Sequence, residues 1–338
     1  MTSPFLVLPL RRPQQGLSAD LAGPLAAFVL VMLVFSLATP RFLSSATFGS
    51  VAFQLPELGL LTLAMLLPIL TGGLNLAITF TANIAGLTVA WVLHRNGGID
   101  AGPAAFALGV VLALAAGAAS GLVMGLVIAF SRAHPILVTL AMMIFLRGLG
   151  EFLTRGGDIS GFPDFIRPLG HGSVLGVPVP LVVFLACAGL WHLLLSRTRL
   201  GFNIYMIGSN IAAARYSGVD TRKVIVLVYT LSGLMCSVAG IIMLARFNSV
   251  RVGHGEAYLL ITVLACFLGG VDPFGGFGRA IPVVVALVVL QLLSSGLNLL
   301  GASQHLATAV WGMLLVAVMI LRWLAGQAVA RIERRRRR

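Results

Sequence analysis

Side chains able to do acid–base, nucleophilic or metal chemistry are few in this chain and poorly placed for it. The six histidines, His94, His134, His171, His192, His254 and His305, are scattered, with no H-E-x-x-H and no pair at the spacing that sets two ligands on one helix face. No G-x-S-x-G nucleophile elbow occurs. Cys187, Cys236 and Cys266 lie inside apolar segments without metal-ligand spacing, so they read as packing residues. The run DPFGGFG at 272–278 invites a phosphate-loop reading, but it lacks the Lys-Ser/Thr ending, and G-x-x-x-x-G-K-[ST] is found nowhere. The chain therefore reads as a non-enzyme without catalytic residues, metal or cofactor, and an intramembrane enzyme is the minor alternative. If ATP drives its work, another subunit must bind the nucleotide.

Polar groups stranded in apolar runs are the other source of chemistry. Gln54 and Glu57, then Thr79, Thr81 and Asn83, then Gln291, Ser294 and Asn298 interrupt such runs. Intramembrane ionisable groups are costly and often line a path, and Glu57 is the clear case. Gln54, Glu57, Asn75, Asn83 and Asn298 are taken as candidates for a translocation path. The bland alternatives are a Glu57 carboxylate that reaches water at the outer end of its span, and amides that hydrogen-bond between helices. Asn75 follows one Gly-Gly break, Gly72-Gly73, and Asp272 follows another, Gly269-Gly270. Broken helices in matching places can mark a transport path, because the freed backbone groups can face a polar cavity.

The elements that must position these groups are membrane spans. With 59% hydrophobic and 10% charged residues, a soluble core is excluded and an all-α, polytopic transmembrane helix bundle is expected. The net charge of +13 does not point to nucleic acid, since no basic helix or aromatic-interleaved patch accompanies it. Apolar runs centred near residues 30, 61, 85, 117, 142, 187, 235, 264, 290 and 315 give about ten spans. The organisation expected is a cytoplasmic lead (1–20), a transmembrane domain (21–325) and a basic cytoplasmic tail (326–338). A cleaved signal peptide is the rival reading of the first run, which is longer than a signal core. With both termini inside, only Arg41, Arg95, Arg147, Arg155, Arg167, Arg246 and Arg251 of the 23 basic residues fall outside. The run at 257–270 is short enough to be re-entrant, but a crossing there is needed to keep the arginines at 334–338 inside. Gly109, Ala113, Gly117, Gly121 and Gly125 form one flat helix face for close packing, and Ser232, Cys236 and Gly240 form another. Residues 151–178 make the largest external loop, a partner surface or a spacer.

The longest polar interruption, 197–223, carries Arg197, Arg199, Arg215, Arg222 and Lys223 against the single acid Asp220, which places it in the cytoplasm. A small helix is expected inside it. Ser209 or Asn210 would cap its start, Ala212, Ala213 and Ala214 favour it, and Gly218 would stop it. A helix of about ten residues is only ~15 Å long, so it must lie at the surface and present its alanines to something.

The order T-x-x-G-x-x-x-Y-x-I-G-x-N-x-x-A-A-x-x-S-G-V at 198–219 resembles the cytoplasmic coupling loop of the permeases of bacterial ribose-type ATP-binding-cassette sugar importers. Three further stretches are similar to that family: LTGGLNLAITFTANIAG at 70–86, HPILVTLAMMIFLRGL at 134–149 and FLGGVDPFGGFG at 267–278. Asn75 and Ala77 depart from the family's usual Asp and Ser. The resemblance implies a multi-pass bacterial inner-membrane permease for a monosaccharide or related polyol. Its partners would be a nucleotide-binding ATPase, an external sugar-binding protein and a second permease, identical or paralogous, with membrane lipid around them and no nucleic acid. Coupling to the ATPase would fall on Gly201, Tyr205, Gly208, Asn210, Ala213, Ala214, Arg215, Ser217 and Gly218. The alternative from another class is an ion-coupled secondary transporter of a small polar solute.

Overall fold

The computed structural model describes residues 17–131, 133–303 and 305–320. The tail at 326–338 and most of the lead lie outside them. Thirteen helices carry the described fold: α1 (Leu17–Ala38), α2 (Ser45–Leu70), α3 (Ile78–Arg95), α4 (Pro103–Ser131), α5 (Pro135–Thr154), α6 (Arg167–His171), α7 (Val179–Arg197), α8 (Arg199–Ser209), α9 (Ile211–Tyr216), α10 (Thr221–Phe247), α11 (Tyr258–Leu268), α12 (Ala280–Leu299) and α13 (His305–Ile320). Each centre expected from the sequence falls within one of them. Seven of the helices, α1, α2, α4, α5, α7, α10 and α12, are long and apolar enough to cross a membrane. The other three at expected centres are α3, with its polar Thr79, Thr81 and Asn83, the 11-residue α11, and α13.

Strands are confined to two short pairs. Ile159–Ser160 (β1) pairs antiparallel with Ser249–Val250 (β4), and Ser173–Val174 (β2) with Val177–Pro178 (β3). The first pair ties the long 151–178 loop to the end of α10.

Helix α10 is the hub, and small residues make it so. A Cβ on Gly121 or Gly125 of α4 would run into the backbone of Tyr229, Thr230 or Val226, and one on Gly233 would collide with the Gly117 carbonyl. The Ser237 hydroxyl donates to the Ala113 carbonyl at 2.9 Å. The glycine stripe read from α4 thus packs on α10 through four of its positions, while Gly109 meets Val89 of α3. The second stripe turns the other way. Ser232 donates to the Ala64 carbonyl of α2 at 2.7 Å, and Gly240 lies against the Ala82 backbone of α3. With backbones in such contact, dispersion and helix–helix fit hold the bundle where lipid removes the hydrophobic drive between helices.

Helix α2 is buried continuously from Leu55 to Leu70 between these partners. Beside it, α11 runs in the same direction. Tyr258 meets Glu57, the Cys266 thiol lies 4.0 Å from the Thr62 carbonyl, and the loop beyond α11 reaches Leu70 through the Gly276 N–H at 2.9 Å. At about 1.5 Å per residue, α11 alone covers only ~16 Å, and the 269–279 loop, folded back on itself by the Asp272 N–H bond to the Phe277 carbonyl, follows it to the end of α2.

Candidate functional site

The polar loop at 197–223 holds two helices where the sequence reading expects one. Thr198 Oγ1 accepts from the Gly201 N–H at 3.1 Å and starts α8. Asn210 then caps α9, its Oδ1 accepting from the Ala212 and Ala213 N–H groups at 3.0 Å each. Gly218, at φ +80°, supplies the left-handed residue that ends α9. Asp220 caps α10 by accepting from the Lys223 N–H at 3.1 Å, and that bond holds its carboxyl below the usual carboxylate range. The missed helix α8 had a legible signal. Leu200, Ile204 and Ile207 recur at helical spacing behind Thr198, and Ile204 and Ile207 are buried.

The nine coupling residues divide into two sets. Gly201, Tyr205, Gly208 and Ala214 face the chain's own body. Gly201 lets α8 fold back on the Leu194 and Leu195 carbonyls, the Tyr205 hydroxyl donates to the Gly278 carbonyl at 2.7 Å, and Ala214 is fully buried. Burial pushes the Tyr205 phenol up to about 12, so it stays a donor at any physiological pH. Ala213, Arg215, Ser217 and Gly218 are exposed, as is Asn210 apart from its caps. Next to them Tyr216 is 95% and Phe202 65% exposed, aromatic area that the sequence reading did not single out.

The Gly72-Gly73 break meets the glycine pair of the 272–278 run here, whereas Gly269 of the other break packs against Val283 of α12. The Gly276 N–H donates to the Leu70 carbonyl, Gly275 packs on Gly72, and Gly208 fits between Leu70 and Gly276. Gly275 and Gly276 hold φ of +90° and +78° with backbone atoms against them, so both their conformation and the space require glycine. The end of α2, the end of α8 and the loop before α12 therefore close on one another backbone to backbone.

The five path candidates do not converge. Glu57 is fully enclosed, with the Arg246 guanidinium of α10 at 2.7 Å and the Tyr258 hydroxyl at 3.4 Å. Gln54, a turn earlier, accepts from the Gln291 amide of α12 at 3.0 Å, and both line a small cleft with Ser294, Tyr258 and Trp311. Asn75, also buried, donates to Ser232 at 2.9 Å and accepts from the Ala77 N–H at 3.0 Å, which pins the α2–α3 break to α10. Asn83 is buried in α3 with no partner on its Nδ2 atom, and Asn298 is exposed at the end of α12. Among the described residues, no group of three or more His, Cys, Asp or Glu is placed to hold a metal.

Residues 47–321 match the family described as "Branched-chain amino acid transport system / permease component". The chain belongs to this permease family. It is 35% identical over 305 residues to the ribose import permease protein RbsC of Escherichia coli (strain K12), covering 88% of this chain and 90% of that one. Its identity to RbsC of Bacillus subtilis (strain 168) is 32% over 301 residues, covering 88% and 91%. The autoinducer 2 import system permease protein LsrD of Yersinia enterocolitica is 28% identical over 301 residues, covering 87% and 89%. No solved structure matches this permease. Family and apolar helices together make it a multi-pass protein of a bacterial inner membrane.

Proposed function

We propose that this permease forms half of the channel of an ATP-driven importer that takes up a monosaccharide or related polyol from an external binding protein. The 35% identity to a ribose import permease over nearly the full length of both chains carries the reading. A separate ATPase docks on α9, through Ala213 and Ser217 together with Tyr216. Gly201, Tyr205, Gly208, Asn210, Ala214 and Gly218 hold that helix in place, and Arg215 secures it through its bond to Thr221. Sugar passes along a route to which Gln54, Asn75, Asn83 and Asn298 contribute polar groups, and Glu57 braces its wall through Arg246. A second permease, identical or paralogous, supplies the other half. The ion-coupled alternative needs a titratable group on the path, and the pairing of Glu57 with Arg246 leaves that role without a free carboxylate. Purified in mild detergent from its own host, the protein should bring an ATPase with it, and proteoliposomes of the complex should take up sugar only with internal ATP and the binding protein. Uptake driven by an ion gradient without ATP would overturn the proposal.

Ten crossings with both ends in the cytoplasm complete the reading, and the parallel run of α11 and its loop along α2 supports counting the eighth as a crossing. A reporter fused after Arg338 should be active in the cytoplasm. Activity of that fusion on the outer face would change the parity and remove the topology.

A further inference from the structure

A cavity of about 310 Å³ opens where the ends of α4 and α8, the short α9 and the start of α10 meet. Its walls are mostly aliphatic, with Ile128 from α4, Ile207 from α8, Ile211 from α9 and Ile225 from α10. Its charged groups have one sign. Among the described residues, Arg215 and Arg222 line it, no carboxylate does, and neither arginine forms an ion pair. Each makes one contact with a neighbouring side chain. Arg215 Nε donates to Thr221 Oγ1 at 3.1 Å, which leaves the terminal nitrogens of its guanidinium for a ligand. The Arg222 guanidinium sits 5.2 Å from the centre of the Phe130 ring, which is 59% exposed at the end of α4. An arginine just beyond the end of an apolar helix can lay its stem along apolar surface and hold its charge at the level of the headgroups.

Two guanidiniums beside an aliphatic wall match a ligand that carries a phosphate and a hydrocarbon chain on one molecule. A carboxylate from a docking protein would satisfy the charges but leave the isoleucine walls unfilled. A free phosphate would do the same. We infer that this cavity binds an anionic glycerophospholipid of the cytoplasmic leaflet, with its phosphate between Arg215 and Arg222 and an acyl chain along Ile128 and Ile225. Binding rests on the membrane reading alone. Any effect on ATP hydrolysis rests in addition on the proposed docking role of α9, because Ile211 and Arg215, one turn apart, line the cavity from the helix that carries Ala213.

The test is native mass spectrometry of the full-length protein titrated with short-chain phosphatidylglycerol, phosphatidylcholine of the same chains, or inorganic phosphate. Phosphatidylglycerol should be retained most tightly. Arg215→Gln and Arg222→Gln should each weaken it roughly fivefold, since a basic residue near an anionic surface contributes about that much. Ile225→Trp, which crowds the wall without touching charge, should weaken it too, at an unchanged unfolding temperature. Replacing the arginines at 334–338 with glutamine should leave it unaltered. Equal retention of phosphatidylcholine, or arginine variants that bind as the wild type does, would sink the site. Inorganic phosphate competing at the same concentration as the lipid would reduce it to a plain anion site and overturn the inference. So would an Arg222→Gln protein that keeps its lipid but loses its ATPase, since the arginine would then belong to a protein contact. Because lipid binding is read on the isolated chain, its failure is separable from failure of the importer reading.

Discussion

Glutamate in place of Ala213 is expected to strip the ATPase from a normally inserted permease. Ala213 is exposed on α9 beside Tyr216, and its backbone N–H is already held by the Asn210 cap, so the substitution leaves the helix intact. A docked contact there has no room for the added volume and must desolvate a charge. A cost of about 2.8 kcal/mol would weaken docking roughly a hundredfold. Ala214→Glu makes the internal comparison. That methyl is fully buried in the permease itself, so a carboxylate forced in there should reduce the amount of folded protein rather than docking alone. Membrane level and recovered ATPase are measured together. An Ala213→Glu protein that recovers a full complement of ATPase and transports normally would remove α9 from the docking site.

The second large effect concerns the Glu57–Arg246 pair. Replacing Glu57 with Gln leaves the Arg246 guanidinium, only 18% exposed, without its counter-charge, and replacing Arg246 with Met strands the fully buried carboxylate. Breaking a buried ion pair from one side costs about 3–5 kcal/mol, whereas replacing both members with apolar groups of similar size is often close to neutral. Each single variant should therefore unfold at a clearly lower temperature in detergent, and Glu57→Leu combined with Arg246→Met should recover most of the loss. Uptake should follow the folded fraction. Singles as stable as the wild type would show that water reaches the pair. A double variant that is stable but cannot transport would instead give Glu57 a role on the sugar's route.

Helix positions were legible because each depends on a local run of apolar residues, and seven of the ten expected runs form helices long and apolar enough to cross a membrane. The α4 stripe was legible for the same reason, since helical spacing alone defines a face. Its partner was not, because nothing local says that Gly117 will meet Gly233. The cytoplasmic caps were readable from residue type, and Asn210 and Gly218 act as their types dictate. Which of two adjacent alanines points outward depends on the rotational setting of a six-residue helix, and only packing decides that. Glu57 and Arg246 belong to spans far apart in sequence, so sequence order leaves a buried carboxylate and its guanidinium looking like two unrelated charges. The polar path candidates were chosen by residue type, and type does not distinguish Asn75, tied to Ser232, from Asn298, open at a helix end.

The junction of Leu70, Gly208 and Gly276 is made almost entirely of main chain. Main-chain atoms are the same whatever side chains surround them, so this joint does not depend on the side chains of the Gln54 cleft or of the α9 surface. Side chains could thus change in the cleft of Gln54, Gln291 and Trp311, or at Ala213 and Tyr216 on α9, without rebuilding the joint between the three segments. The exception lies in the glycines themselves. A single methyl at 208 or 276 would wedge the three segments apart while leaving each helix intact.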